Sequence, residues 1–88
     1  MLSQIVAITN VRGLHARASA KFVTLASTLA ATIEVSKDGN AVVGTSIMGL
    51  MMLGAAMGDS VLISASGDDA ENALAQLVAL VETKFGED

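Results

Sequence analysis

The spacing of apolar residues along this chain switches repeatedly between every second position and every third or fourth, which restricts it to folds that mix strands with helices. Leu2 to Thr9 alternates and is rich in β-branched residues, so it reads as a first strand. From about Ala16 to Leu29 the spacing lengthens, with Phe22, Val23, Ala26, Leu29 and Ala30 on one side of a helix. Ile33 and Val35 then alternate with Thr32, Glu34 and Ser36. Asp38-Gly39 supplies turn residues that tolerate positive φ, and Ala41-Val42-Val43 resumes the extended pattern as a hairpin. Ser46 is suited to capping a short helix over Ile47 to Leu53 that Gly54 ends. After the Gly58-Asp59 turn, Ser60 to Ser66 alternates again. Asp68 with Glu71 has the form of a capping box before a helix carrying Ala70, Ala73, Leu74, Leu77, Val78, Val81 and Phe85 on one face. The order β-α-β-β-α-β-α, with each helix apolar on one side only, predicts an α+β fold whose antiparallel or mixed sheet carries all its helices on one face.

Eighty-eight residues with no Pro, Ser or Gly run between them predict one domain over 1–88. The 52 % apolar content supplies a core, but Phe22 and Phe85 are the only aromatic residues, so Val, Ile, Leu, Ala and Met must fill it. Without cysteine there is no disulfide or thiolate site, and one histidine makes no metal cluster. A formal charge of −4 with few, scattered cations argues against nucleic acid. The glycine-interrupted stretch Val42 to Gly58 is too short in its apolar part to span a bilayer, so no membrane partner is expected. The opening Met1-Leu2-Ser3-Gln4 lacks the basic run of a secretory signal, which places the chain in the cytoplasm.

Against this acidic background, Arg12 and Arg17 flank the only histidine. Gly13-Leu14-His15-Ala16-Arg17 sets that imidazole where the first strand gives way to the first helix. Unpaired helix amides converge at such a place, and their partial positive charge, like the Arg17 guanidinium, disfavours a protonated ring. A neutral, nucleophilic imidazole follows. Once it carried a phosphoryl group, the same amides and Arg17 would stabilise the anion. Each such helix-end interaction is worth only about 0.3–1 kcal/mol, enough to hold the group but not to trap it. The plainer reading, that His15 and Arg17 are ordinary solvated residues at a helix start, fits these five residues equally well.

Gly13-Leu14-His15-Ala16-Arg17 followed by Ser46-Ile47-Met48-Gly49-Leu50-Met51-Met52-Leu53-Gly54 resembles the HPr family, the histidine-containing phosphocarriers of the phosphoenolpyruvate-dependent phosphotransferase system. The likeness runs over essentially the whole chain, including Asp38-Gly39, Gly58-Asp59 and Ser64-Ala65-Ser66-Gly67. It implies an open-faced β-sandwich, four antiparallel strands covered on one side by three helices. It also implies a carrier rather than an enzyme, monomeric and without cofactor or metal, which takes a phosphoryl group from enzyme I on the δ nitrogen of His15 and passes it to an enzyme IIA-type acceptor. Arg17 falls at the position that pairs with the phosphate. Ser46 matches a serine that an HPr kinase/phosphorylase modifies in some members; a cap alone, worth about 1 kcal/mol, fits it as well. Ala16, Ala20, Ile47, Met48 and Met51 correspond to the partner-docking patch, although methionines at helical spacing are ordinarily core.

The sequence also departs from the family pattern. Ala18 stands where a proline commonly follows the His-Ala-Arg string, leaving the helix start less preset. Thr24, Ser27 and Thr45 stand where many members carry lysines, which points to a dedicated partner set such as the nitrogen-related regulatory branch. Two other readings compete with a carrier: a purely regulatory binding module controlled at Ser46, and a small-ligand-binding α+β domain in which Gly13 and Gly54 only make turns.

Overall fold

A computed structural model describes residues 1–87. The elements run β1 (Leu2–Ala7), α1 (Ala16–Ser27), β2 (Thr32–Lys37), β3 (Asn40–Val43), α2 (Ile47–Met52), β4 (Ser60–Ser66) and α3 (Ala70–Glu82), followed by a 3-10 turn over Lys84–Gly86. The four strands form one fully antiparallel sheet in the order β1-β4-β2-β3. β4 is central, paired with β1 from Leu2↔Ala65 to Ala7↔Ser60 and with β2 from Thr32↔Ser66 to Ser36↔Leu62. This is the open-faced α+β arrangement anticipated above.

Strand alternation decides which sheet face is covered. Val61, Ile63 and Ala65 of β4 point into the core together with Val6, Ile33 and Val35, while Ile5, across from Leu62, lies exposed on the bare face. Phe22 of α1, Leu50 of α2 and Leu77 and Val81 of α3 cover the inner face. At the Asp38-Gly39 turn both residues have positive φ, 52° and 84°, as a tight two-residue hairpin requires.

Differences from the sequence reading lie at element ends. The first strand stops at Ala7, and Ile8 pairs instead with the next turn, its N–H donating to Asp59 O at 2.8 Å and its carbonyl accepting from Gly58 N at 2.9 Å. α1 ends at Ser27 because Thr28 and Leu29 donate three residues back, tightening the last turn. The expected capping box does not form. The cap of α3 is Asp69, in the left-handed region at φ 57°, and its carboxylate accepts from the Asn72 side chain at 3.0 Å rather than from a backbone amide. Phe85 is buried as expected, but from beyond the helix: Lys84 and Phe85 both take positive φ, turning the chain so that the ring folds back into the core. That reversal, continued through Gly86, sends Glu87 toward the start of α1.

Candidate functional site

The loop between β1 and α1 is shaped by two sequence features. Asn10, fully buried, donates from Nδ2 to Gly13 O at 2.8 Å, and its main-chain carbonyl accepts from Gly13 N at 3.2 Å. Gly13 has φ +64°, and a Cβ there would lie 2.3 Å from Ala55 O and 2.9 Å from Ala56 Cα. Only glycine permits that approach, after which Leu14 N donates to Ala55 O at 2.9 Å. The loop is thereby fastened to the segment that follows α2.

His15 emerges from this anchored loop as the N-cap of α1, with extended backbone at φ −72°, ψ 179°. Its Nδ1 accepts a hydrogen bond from the Arg17 backbone N–H at 3.2 Å. An imidazole nitrogen that accepts carries no proton, so in the neutral ring the proton is assigned to Nε2. Nε2 lies 2.6 Å from Oε2 of Glu87 and donates to it. The His15 side chain is 18 % exposed, enough for its outer edge to be reached.

Glu87 is the residue sequence reasoning missed. Its Oε1 accepts from Asn10 Nδ2 at 3.0 Å, so one carboxylate joins the buried amide to the imidazole. Lys21 of α1 secures the approach of the tail by donating to Phe85 O at 2.7 Å. The Asn10 hydrogen bond holds the Glu87 carboxyl below the usual glutamate range; partial burial opposes this, while the hydrogen bond and electrostatic attraction from His15 and the charge of Lys21 reinforce it. Nothing in the local sequence around Glu87 marks it, because its partners lie at the other end of the chain.

Arg17 sits exposed on the first turn of α1 and, with Val11, Arg12, Lys21, Gly86 and Glu87, lines an open cleft of about 450 Å³ beside the histidine. Three of the chain's five basic residues thus line one cleft together with the carboxylate that contacts the imidazole. Among the described residues the Arg17 guanidinium makes no ion pair, which leaves its donors available in that cleft.

The remaining anticipated site residues are also located. Ala16 is exposed and Ala20 half-buried on α1, where Ala20 borders an apolar groove of about 460 Å³ with Thr24, Leu25, Thr28 and Leu80. α2 packs beside α1 through the fully buried Leu50, and Ile47, Met48, Met51 and Met52 face outward, Met48 being 68 % exposed. A two-turn helix with one inward residue cannot bury its methionines. Ser46 caps α2, its Oγ accepting from Gly49 N at 3.0 Å. Ala18, the departure from the family pattern, is fully buried on the inner side of α1.

Comparison with known proteins agrees with this geometry. The family model described as PTS HPr component phosphorylation site matches residues 2–83. The chain is 42 % identical to the phosphocarrier protein HPr of Cupriavidus necator over 87 residues, covering 99 % of this chain and 98 % of the relative. It is 40 % identical to the phosphocarrier protein NPr of Shewanella violacea over 86 residues, 98 % and 94 % of the two chains. The crystal structure of HPr-C-His from Thermoanaerobacter tengcongensis superposes with a TM-score of 0.95 at 48 % identity, over 100 % of this chain and 99 % of the other, and that organism's HPr has also been solved as a dimer. A match spanning almost every residue, together with a histidine that caps the first helix beside exposed basic side chains, establishes that the chain belongs to the HPr family of phosphocarriers of the phosphotransferase system.

Proposed function

We propose that the protein is a single unit over residues 1–88 that accepts a phosphoryl group on Nδ1 of His15 from enzyme I and passes it to an enzyme IIA-type acceptor. The observation that carries this reading is the opposite occupation of the two ring nitrogens: Nδ1 offers a lone pair toward the α1 amides, while Nε2 is engaged by Glu87. An incoming phosphorus would take the place of the Arg17 N–H at Nδ1. That amide would then donate to a phosphate oxygen, and the exposed Arg17 guanidinium would approach from the same turn. Both interactions are modest, which suits a group that must leave again. The chain turns over only with its partners and is not itself an enzyme.

Partners would dock over Ala16 and Ala20 of α1 and Ile47, Met48 and Met51 of α2, where exposed methionines adapt to more than one surface. Phosphate on Ser46, added by an HPr kinase/phosphorylase, would bring about −1.5 to −2 charges to the edge of that patch while retaining an acceptor for Gly49 N. The carrier is monomeric in this reading, and sedimentation across a concentration series tests that directly. Among the described residues no helix is long and apolar enough to cross a membrane, in keeping with a cytoplasmic carrier.

Incubation with enzyme I and labelled phosphoenolpyruvate tests the central claim. Acid-labile label on the parent protein and none on His15→Ala is the expected result; acid-stable label would point to serine. A second reading, the nitrogen-related regulatory branch, is favoured by Thr24, Ser27 and Thr45, all exposed, where lysines would strengthen docking to acidic partners. Faster labelling by the nitrogen-branch enzyme I than by the sugar-branch enzyme supports it.

A further inference from the structure

We infer that Glu87 is a positioning residue for His15, holding the ring in the tautomer that leaves Nδ1 free to attack; this deepens the carrier reading and rests on it. The geometry is a relay of three side chains. Asn10 is fully buried and fixed by Gly13 O, so its Nδ2 can present a hydrogen only toward Oε1 of Glu87. The carboxylate is thereby oriented with Oε2 at 2.6 Å from Nε2. An unprotonated carboxylate only accepts, so the ring must donate there, and its single proton is drawn to Nε2. Without that acceptor nothing holds the proton at Nε2 except the weak 3.2 Å contact between Nδ1 and the Arg17 amide.

The tail is built to deliver this carboxylate. Phe85 is buried in the core, Lys84 to Gly86 turn through successive positive φ values, and Lys21 ties down Phe85 O at 2.7 Å. Glu87 follows immediately, 19 % exposed in its side chain. The same carboxylate serves the transfer step. As the Nδ1 lone pair forms its bond to phosphorus, the donor's bond to phosphorus breaks and its electron pair leaves with the donor. The ring retains its Nε2 proton and becomes cationic, with the Glu87 charge beside it. On onward transfer the N–P bond breaks, its electron pair returns to Nδ1, and the ring is neutral again with the proton still on Nε2. Arg12, Arg17 and Lys21 line the same cleft, so Glu87 is the one anion among the residues lining it that faces the ring.

The test reads tautomer and transfer separately, on the full chain labelled with nitrogen-15. In the parent, long-range proton–nitrogen spectra above neutral pH are expected to show His15 with Nε2 protonated and Nδ1 bare. In Glu87→Ala the two tautomers should mix, and phosphoryl acceptance from enzyme I should slow about tenfold, the lower end of what losing an orienting partner costs at histidine metal sites. Glu87→Gln, which offers one acceptor oxygen to two donors, should fall between the two on both readouts. The unchanged amide spectrum of the sheet serves as the folding control, since Phe85 remains in place. Parent-like ring signals in Glu87→Ala, or altered ring signals with transfer unchanged, overturn the inference. Failure of the parent to take label sinks the carrier reading instead, while the ring signals still decide the role of Glu87.

Discussion

His15 Nε2 and Glu87 Oε2 lie 2.6 Å apart although 72 positions separate them along the chain, so the end of the fold completes a site that begins in its first loop. The contact depends on the carboxylate being ionised, and Glu87 titrates below its ordinary value of 4.5. A carboxyl whose folded value is depressed contributes stability that is fully present above the unfolded value and is lost as pH falls through the folded one. Melting temperatures of the parent and Glu87→Ala should therefore differ by a constant amount above about pH 5. The gap should close on further acidification, and a gap that persists to the lowest pH would mean Glu87 acts there without its charge.

Gly13 is where the histidine loop meets the segment after α2. Gly13→Ala adds a left-handed non-glycine residue and a Cβ 2.3 Å from Ala55 O, so backbone must move. The expected cost is about 2–4 kcal/mol by urea denaturation. Gly54→Ala provides the contrast, since its Cβ meets nothing within 4 Å and only the φ of +66° is strained; about 1–2 kcal/mol should be lost.

The two sides of α2 should respond oppositely to truncation. Leu50→Ala removes the helix's fully buried residue and should destabilise by about 2–5 kcal/mol. Met48→Ala, largely exposed, should leave stability within about 0.5 kcal/mol while weakening transfer to and from partners. Calorimetry and phosphoryl-exchange kinetics on the same pair of variants check both halves.

Ser46→Ala removes the acceptor for Gly49 N and should cost about 1 kcal/mol, a fall in Tm of roughly 4–8 °C for a domain of this size. Ser46→Asp keeps an acceptor at the cap, so it should melt within a few degrees of the parent. Its added charge should nevertheless slow transfer. Equal transfer by Ser46→Asp and the parent would remove charge at this position as a regulatory device.

Arg17→Ala leaves the backbone N–H to Nδ1 intact and removes an exposed guanidinium with no ion pair among the described residues. Stability should hardly change. Loss of one charge-assisted hydrogen bond to the phosphoryl group, about 1.5–3 kcal/mol, predicts transfer slower by roughly 10- to 100-fold. Rapid-quench labelling measures it.

Local signals in the chain sufficed wherever the determinant was local. The β4 pattern from Ser60 to Ser66 coincides with the observed strand, Asp38-Gly39 makes the hairpin turn, and Ser46 and Gly54 bound α2, because alternation, turn φ and capping act over a few residues. The capping box anticipated at Asp68 and Glu71 did not form: the cap fell one residue later, at Asp69, whose backbone is left-handed and whose carboxylate accepts from the Asn72 side chain instead of a backbone amide.

The amino-acid sequence by itself determined the order of elements, the inward residues of β4 and α3 and the position of His15 at a helix start, all consequences of period and local chemistry. Only the tertiary structure decided what the imidazole touches. Asn10, Lys21, Phe85 and Glu87 come from opposite ends of the chain, and they meet because burying Phe85 beneath α1 turns the last residues back across it. Hydrogen-bond partners of that kind are selected by packing distance, which no spacing along the chain encodes.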